Sequence, residues 1–153
     1  AQRLGMLIDV SHLSDRGFWD LCDITERPFV ASHSNSRAVC RHVRNLTVEQ
    51  FKALCAVGGT AGLNLYGAFL RDDGAVTLDD VWRHIAHFLE LGGEGHIALG
   101  GDLDGCDVLP EGFTGVDSYE QLERMLEEKK LAASVIENIF SESLLKVVKQ
   151  CIM

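Results

Sequence analysis

The sequence predicts a parallel α/β fold in which strands alternate with covering helices. Three observations predict it. Four short apolar runs recur along the 153 residues, and an amphipathic helical segment follows each. Every run ends in polar residues at its C-terminal side: His12, His33, Asn64 with Tyr66, and Asp102. Strands that are almost wholly apolar are buried on both faces, which is the habit of parallel sheets. In such folds ligands bind at the C-terminal strand edge. These residues alone leave a doubly wound sheet and a barrel both open. Polar ends on all four strands favour a barrel, because a barrel points every strand end at one centre. Four βα units would be half of an eightfold barrel, which takes ~250 residues.

The elements follow in order. Leu7 to His12 reads as the first strand. Ser14 caps a short helix carrying Phe18, Trp19, Leu21 and Cys22. Pro28 to His33 is the second strand. Thr47 and Gln50 form a capping box for a helix with Val48, Phe51, Leu54 and Cys55 on its apolar side. Gly59 to Tyr66 is the third strand. Thr77 caps the next helix, with Asp80 three residues on and Val81, Trp82, Ile85, Phe88 and Leu89 facing inward; Gly92-Gly93 stops it. His96 to Asp102 is the fourth strand. Two helices, about 118–129 and 132–150, close the chain. The whole reads as a single partial domain, 1–153.

Composition narrows the function. Hydrophobic residues make up 46% and no polar low-complexity tract occurs, which excludes intrinsic disorder. No run approaches the ~18–20 uncharged apolar residues of a membrane span. The net charge of −9 argues against a nucleic-acid partner, which needs a positive footprint. The five cysteines are odd in number and widely spaced, without a CxxC pair, and read as reduced thiols of a cytoplasmic protein. The opening Ala1-Gln2-Arg3-Leu4 reads as the cut end of a longer protein.

The chemistry-bearing residues cluster at the strand ends. His12 and His33 end adjacent strands, which lie ~4.8 Å apart, a spacing from which both imidazoles can reach one common metal or two metals ~3.5–4 Å apart. The bland reading makes each a satisfied loop histidine. Ser11, Ser32 and Ser34 beside them suit either donors behind the histidines or plain loop residues, and the loop reading is the simpler. Gly100-Gly101-Asp102-Leu103-Asp104-Gly105 sets two carboxylates at a strand end. Asp102 is the better candidate for proton transfer, with Asp104 capping or orienting. Arg37, Arg41, Arg44 and His42 overhang the site; one arginine suits a carboxylate clamp, although such a cluster is usually solvated. His84 and His87 read as solvent-facing on a covering helix, and His96 as structural.

Ile8-Asp9-Val10-Ser11-His12, Ser32-His33-Ser34, Val39-Cys40, Arg44-Asn45 and Gly100 to Gly105 resemble the membrane (renal) dipeptidase family of zinc peptidases, in order and spacing. Val108 to Gly112 continues the match. The resemblance implies a (β/α)8 TIM-type barrel with two zinc ions at its C-terminal mouth, hydrolysing dipeptides and often tolerating a C-terminal D-residue. His12 and His33 match two histidines that bind one zinc. Arg44 matches the arginine that grips the substrate carboxylate, and Asp102 the acidic residue that handles the proton. Tyr66 and Phe69 match in location only, beside the substrate.

The family's first-strand His-x-Asp pair and third-strand Glu are absent from this chain. By resemblance the chain is therefore the C-terminal half, strands five to eight with the terminal helices. The implied function is a metallo-dipeptidase, here a fragment lacking the N-terminal metal ligands. Alternatives are a non-catalytic metal or small-ligand module, or a half-barrel that closes as a homodimer. The expected partners are a dipeptide and either the missing N-terminal half or a second copy.

Overall fold

The computed structural model describes residues 1–152. Three parallel strands form one sheet in the order β1-β2-β3. They are β1 (Val30–Ala31), β2 (Thr60–Asn64) and β3 (Ile97–Gly101). Val30 stands opposite Thr60 and Ala61 opposite Ile97, with an irregularity between Leu63 and Asn64. The α/β class agrees with the sequence, and the second, third and fourth predicted strands form as β1, β2 and β3; the first, Leu7 to His12, does not.

The segment from Leu7 to His12 contributes a single parallel bridge, Asp9 with Val30. Val10 N donates to Val30 O and Val30 N to Ile8 O. Pairing stops there because the next amides turn to a side chain. Ser11 N and Ser32 N both donate to Asp9 Oδ1, at 3.0 and 2.9 Å. The Asp9 carboxylate thus takes up donors that a longer ladder would have used.

The helices start where the caps predict. Ser14 Oγ accepts from Gly17 N at the head of α1 (Asp15–Cys22). Thr47 and Gln50 make both bonds of a capping box for α2 (Val48–Ala56). A short α3 (Gly67–Leu70) follows β2. Asp80 reaches back to Thr77 N at 2.9 Å, starting α4 (Leu78–Glu90). The tail departs from two plain helices. It consists of α5 (Tyr119–Glu128), then α6 (Ala133–Glu137), which runs through a wide π turn at Asn138–Glu142 into α7 (Ser143–Ile152).

Alternation along the strands divides the sheet. Ala61, Leu63 and Ile97 join the main core with Phe51 and Leu54 of α2 and Val81, Ile85 and Phe88 of α4. Phe51 and Phe88 stack at 4.0 Å between ring centres. The opposite face borders a cavity of about 230 Å³ shared by Thr60, Gly62, Ala98, Gly100 and Leu144 of α7. Thr60 Oγ1 donates to Ser143 O, fixing α7 to the start of β2. Trp19, an aromatic at helical spacing that reads most simply as core from sequence, is 40% exposed, because its helix turns Phe18 inward instead.

His84 corrects the sequence reading most clearly. It is fully buried, not solvent-facing. Ser36 N donates to its Nδ1 at 3.1 Å, and its Nε2 donates to Leu70 O at 2.9 Å. His87 Nδ1 meets Ser36 Oγ at 2.9 Å. Two turns of α4 therefore grip the loop that leaves the second strand.

Candidate metal and substrate site

The site forms at the C-terminal ends of the strands. Its first feature is a backbone crossing. The Ser32 carbonyl lies so close to β2 and β3 that a Cβ on Gly62 or Gly100 would stand 2.0 or 2.1 Å from it. A Cβ on Gly100 would also come within 3.0 Å of His33 Cα. Only glycine at both positions lets the Ser32-His33 segment lean across the sheet toward Asp102.

His12 and His33 meet there. Their Nε2 atoms are 3.0 Å apart and their rings 5.0 Å between centres. Two nitrogens sharing a tetrahedral zinc at ~2.0–2.1 Å stand roughly 3.3 Å apart. The pair therefore fits two positions of one metal's shell. Among the described residues, no group of three or more histidine, cysteine, aspartate or glutamate side chains could complete it.

Each imidazole is held differently. His33 N donates to Ser11 Oγ at 2.9 Å, and its Nδ1 meets Ser32 Oγ at 2.7 Å. Ser32 Oγ in turn donates to Asp9 Oδ2 at 2.5 Å. Burial works to raise the Asp9 carboxyl, but the bonds from Ser32 and Ser11 outweigh it and hold it below the usual range. Burial pushes His33 down, against the opposing pull of the Asp102 and Asp9 carboxylates. His12 Nδ1 faces Arg44 Nη1 at 2.9 Å. A guanidinium only donates, so this nitrogen accepts.

Arg44 is the centre of a second cluster. Nη2 lies 3.4 Å from His33 Nε2, and the guanidinium sits over the Phe69 ring at 5.6 Å. Phe69 also packs against His42, 4.4 Å between centres, and edge-on against Tyr66 at 4.9 Å. Arg44 Nε is buried and has no hydrogen-bond partner among the described residues. Of the other arginines, Arg37 is committed to Asp15 through two bonds of 2.7 and 2.8 Å, and Arg41 is exposed.

Asp102 follows β3 directly, with φ 60° and ψ 36°. Asn64, fully buried, donates from Nδ2 to Asp102 Oδ2 at 3.1 Å. Asp104 is exposed. The Cys106 thiol donates to Asp102 O at 2.9 Å. Burial, helped by Asp102 and Asp107, pushes it up to about 11, so it remains a thiol and not a nucleophile.

The structure thus brings His12, His33 and Arg44 into contact, and Asp102 acts on His33 through its charge. Tyr66 reaches the cluster only through Phe69. Sequence reasoning passed over Asp9 as an organiser and preferred a loop role for Ser11 and Ser32. The signal was the recurrence of serine beside each histidine, in Ser11-His12 and Ser32-His33-Ser34.

Paired imidazoles within the field of the Asp102 carboxylate, at the C-terminal edge of a parallel sheet, make this a candidate metal-binding site on an α/β scaffold. The chain belongs to the membrane dipeptidase family, peptidase family M19, whose sequence profile matches residues 1–152. An uncharacterized protein encoded in the pqqA 5' region of Klebsiella pneumoniae is 37% identical over 150 residues, 95% of this chain and 55% of that protein. An uncharacterized dipeptidase of Schizosaccharomyces pombe is 34% identical over 151 residues, 97% of this chain and 36% of its own. A metallopeptidase of Rhodobacter sphaeroides, solved with a phosphinate mimic of the dipeptide L-Ala-D-Ala, is 29% identical with a TM-score of 0.93. That likeness covers 98% of this chain and 44% of the solved one. A solved structure described as dipeptidase AC gives the same identity and TM-score, covering 45% of that chain. The chain therefore spans about half the length, or less, of the relatives it matches.

Proposed function

We propose that this chain is the C-terminal half of a zinc-dependent dipeptidase barrel, carrying part of the metal shell, the carboxylate clamp and the proton-handling acid. The observation that carries this reading is the convergence of His12 Nε2 and His33 Nε2 at 3.0 Å under the Arg44 guanidinium. The Rhodobacter relative's phosphinate ligand supports a dipeptide substrate with a D-residue allowed at its C-terminus. Five free thiols support a reducing, cytoplasmic setting.

His12 and His33 would hold one zinc through Nε2. A zinc ion so bound supplies Lewis acidity and lowers the pKa of its water toward neutrality. The other roles belong to the chain's own side chains. Arg44 binds the dipeptide's terminal carboxylate, using the buried Nε donor that lacks a partner. Phe69 and Tyr66 wall the carboxylate end. Asp102 takes a proton on Oδ1 and passes it to the leaving amine, while Asn64 holds Oδ2.

The remaining ligands come from outside the described residues. The half-length match to the relatives supports the missing N-terminal half over a second copy. The test is zinc titration and L-Ala-D-Ala hydrolysis, for the chain alone and mixed with a separately produced upstream segment of a longer relative. Weak zinc binding alone, with tight binding and turnover on mixing, is expected. Zinc binding that survives His33→Ala, or a sedimentation dimer with full activity and no added half, would overturn it.

A further inference from the structure

We propose that Asp9 is a positioning residue that, acting through Ser32, fixes the proton of His33 on Nδ1 and leaves its Nε2 lone pair facing the metal position. The inference rests on the reading of His33 as a zinc ligand, and deepens it by naming what sets that ligand's tautomer.

The available protons fix the direction of each bond. Asp9 Oδ1 already accepts Ser11 N and Ser32 N, at 3.0 and 2.9 Å, and Oδ2 faces Ser32 Oγ at 2.5 Å. A carboxylate receiving three donors is acceptor-only. A serine hydroxyl has one proton. Of its two close neighbours, Asp9 Oδ2 at 2.5 Å can only accept, whereas His33 Nδ1 can accept or donate, so both contacts are satisfied only when the hydroxyl proton goes to Asp9. Ser32 Oγ can then only accept from His33 Nδ1, 2.7 Å away. A neutral imidazole with its proton on Nδ1 has its lone pair on Nε2, which is the form a metal needs. Nε2 lies 3.0 Å from His12 Nε2, on the side where the two rings meet. Asp9 also ties the two histidine-bearing segments together, standing on the strand segment that ends in His12 and bonding the one that ends in His33. Relays of this kind, from a carboxylate to a ligand's remote nitrogen, set ligand orientation and basicity.

The substitution Asp9→Asn makes a sharp test because it reverses the relay's polarity. The amide oxygen of the new side chain keeps the two backbone donors, so the fold is retained, but the amide nitrogen now donates toward Ser32 Oγ. The hydroxyl must then turn and donate to His33 Nδ1, moving the ring proton to Nε2. Nitrogen-15 NMR of chelator-treated protein reads the tautomer directly. The wild type is expected to show His33 protonated on Nδ1, and Asp9→Asn on Nε2, with zinc affinity reduced about 10–100-fold by chelator competition. Ser32→Ala should lose the preference for Nδ1, and Ser32→Thr should restore it. An unchanged His33 tautomer in Asp9→Asn and Ser32→Ala, or a loss of melting temperature without a tautomer change, would overturn the proposal. Should the wild type bind no zinc under any condition, the metal reading fails, while the tautomer spectra still decide the role of Asp9.

Discussion

The two histidines at the strand ends are held from opposite sides. His33 is backed by an anion, Asp9, through Ser32. His12 is faced by a cation, Arg44, at its Nδ1. An acceptor behind His33 leaves its Nε2 unprotonated, with Arg44 Nη2 at a longer 3.4 Å; the closer donor against His12 Nδ1 forces the neutral ring to carry its proton on Nε2, directed at His33. One imidazole is thus prepared to offer Nε2 and the other is opposed. The lesson is that equivalent residues at equivalent strand ends need not be equivalent chemically. For His12 to offer Nε2, its proton must move to Nδ1 and Arg44 must withdraw, which frees the guanidinium for a substrate carboxylate.

The largest expected effect tests whether the chemistry lies on the prepared side. Asp102→Asn should lower dipeptide hydrolysis by about 10²–10⁴-fold in the complemented enzyme, with zinc affinity unchanged. Steady-state kinetics beside a zinc titration measure both, and equal losses in the two would show that Asp102 acts on the metal instead.

Next comes the anchor behind His33. His84→Leu leaves Ser36 N and Leu70 O without partners, at about 1–3 kcal/mol for each group. Burial pushes His84 down to about 4, against the bond to Leu70. The unfolded ring takes its proton near the ordinary value of 6.5. The stability it contributes is therefore present above pH 6.5 and lost as pH falls toward 4, about 3 kcal/mol across that window. Urea unfolding at several pH values should show this slope in the wild type and its loss in His84→Leu.

A smaller effect sharpens the contrast on the His12 side. Arg44→Ala should raise KM for dipeptides about 10–100-fold, the worth of charge-assisted bonds to a carboxylate. Zinc affinity should hold or increase, because the opposing donor at His12 Nδ1 is gone. A fall in zinc affinity would mean that Arg44 supports His12 instead of opposing it.

Phe69→Ala should give the smallest change. Losing the ring beneath the guanidinium costs about 0.5–1 kcal/mol, a roughly two- to fivefold rise in KM with kcat unchanged.

Much of this was readable from residues. The caps at Ser14, Thr47 with Gln50, and Asp80 form where short-range rules put them, because each bond spans only three residues. The histidine pair and the glycine-rich turn stood out as polar endings on apolar runs. His84 was also legible in principle: Val81, His84, Ile85 and Phe88 follow the i, i+3, i+4, i+7 rhythm of a buried face. Asp9 was not, since its partner Ser32 lies 23 residues on and serine is common in loops. The shortened first strand was hidden for the same reason, as that carboxylate takes the amides which strand pairing would need.

Position 102 carries a constraint of another kind. Its backbone lies in the left-handed region, φ 60°, where aspartate and asparagine are the side chains that settle most readily after glycine. Glutamate keeps the charge but lacks the short polar arm that suits this conformation. Exchange of one acid for the other, usually the gentlest of replacements, therefore carries a backbone cost here, on the order of 1 kcal/mol.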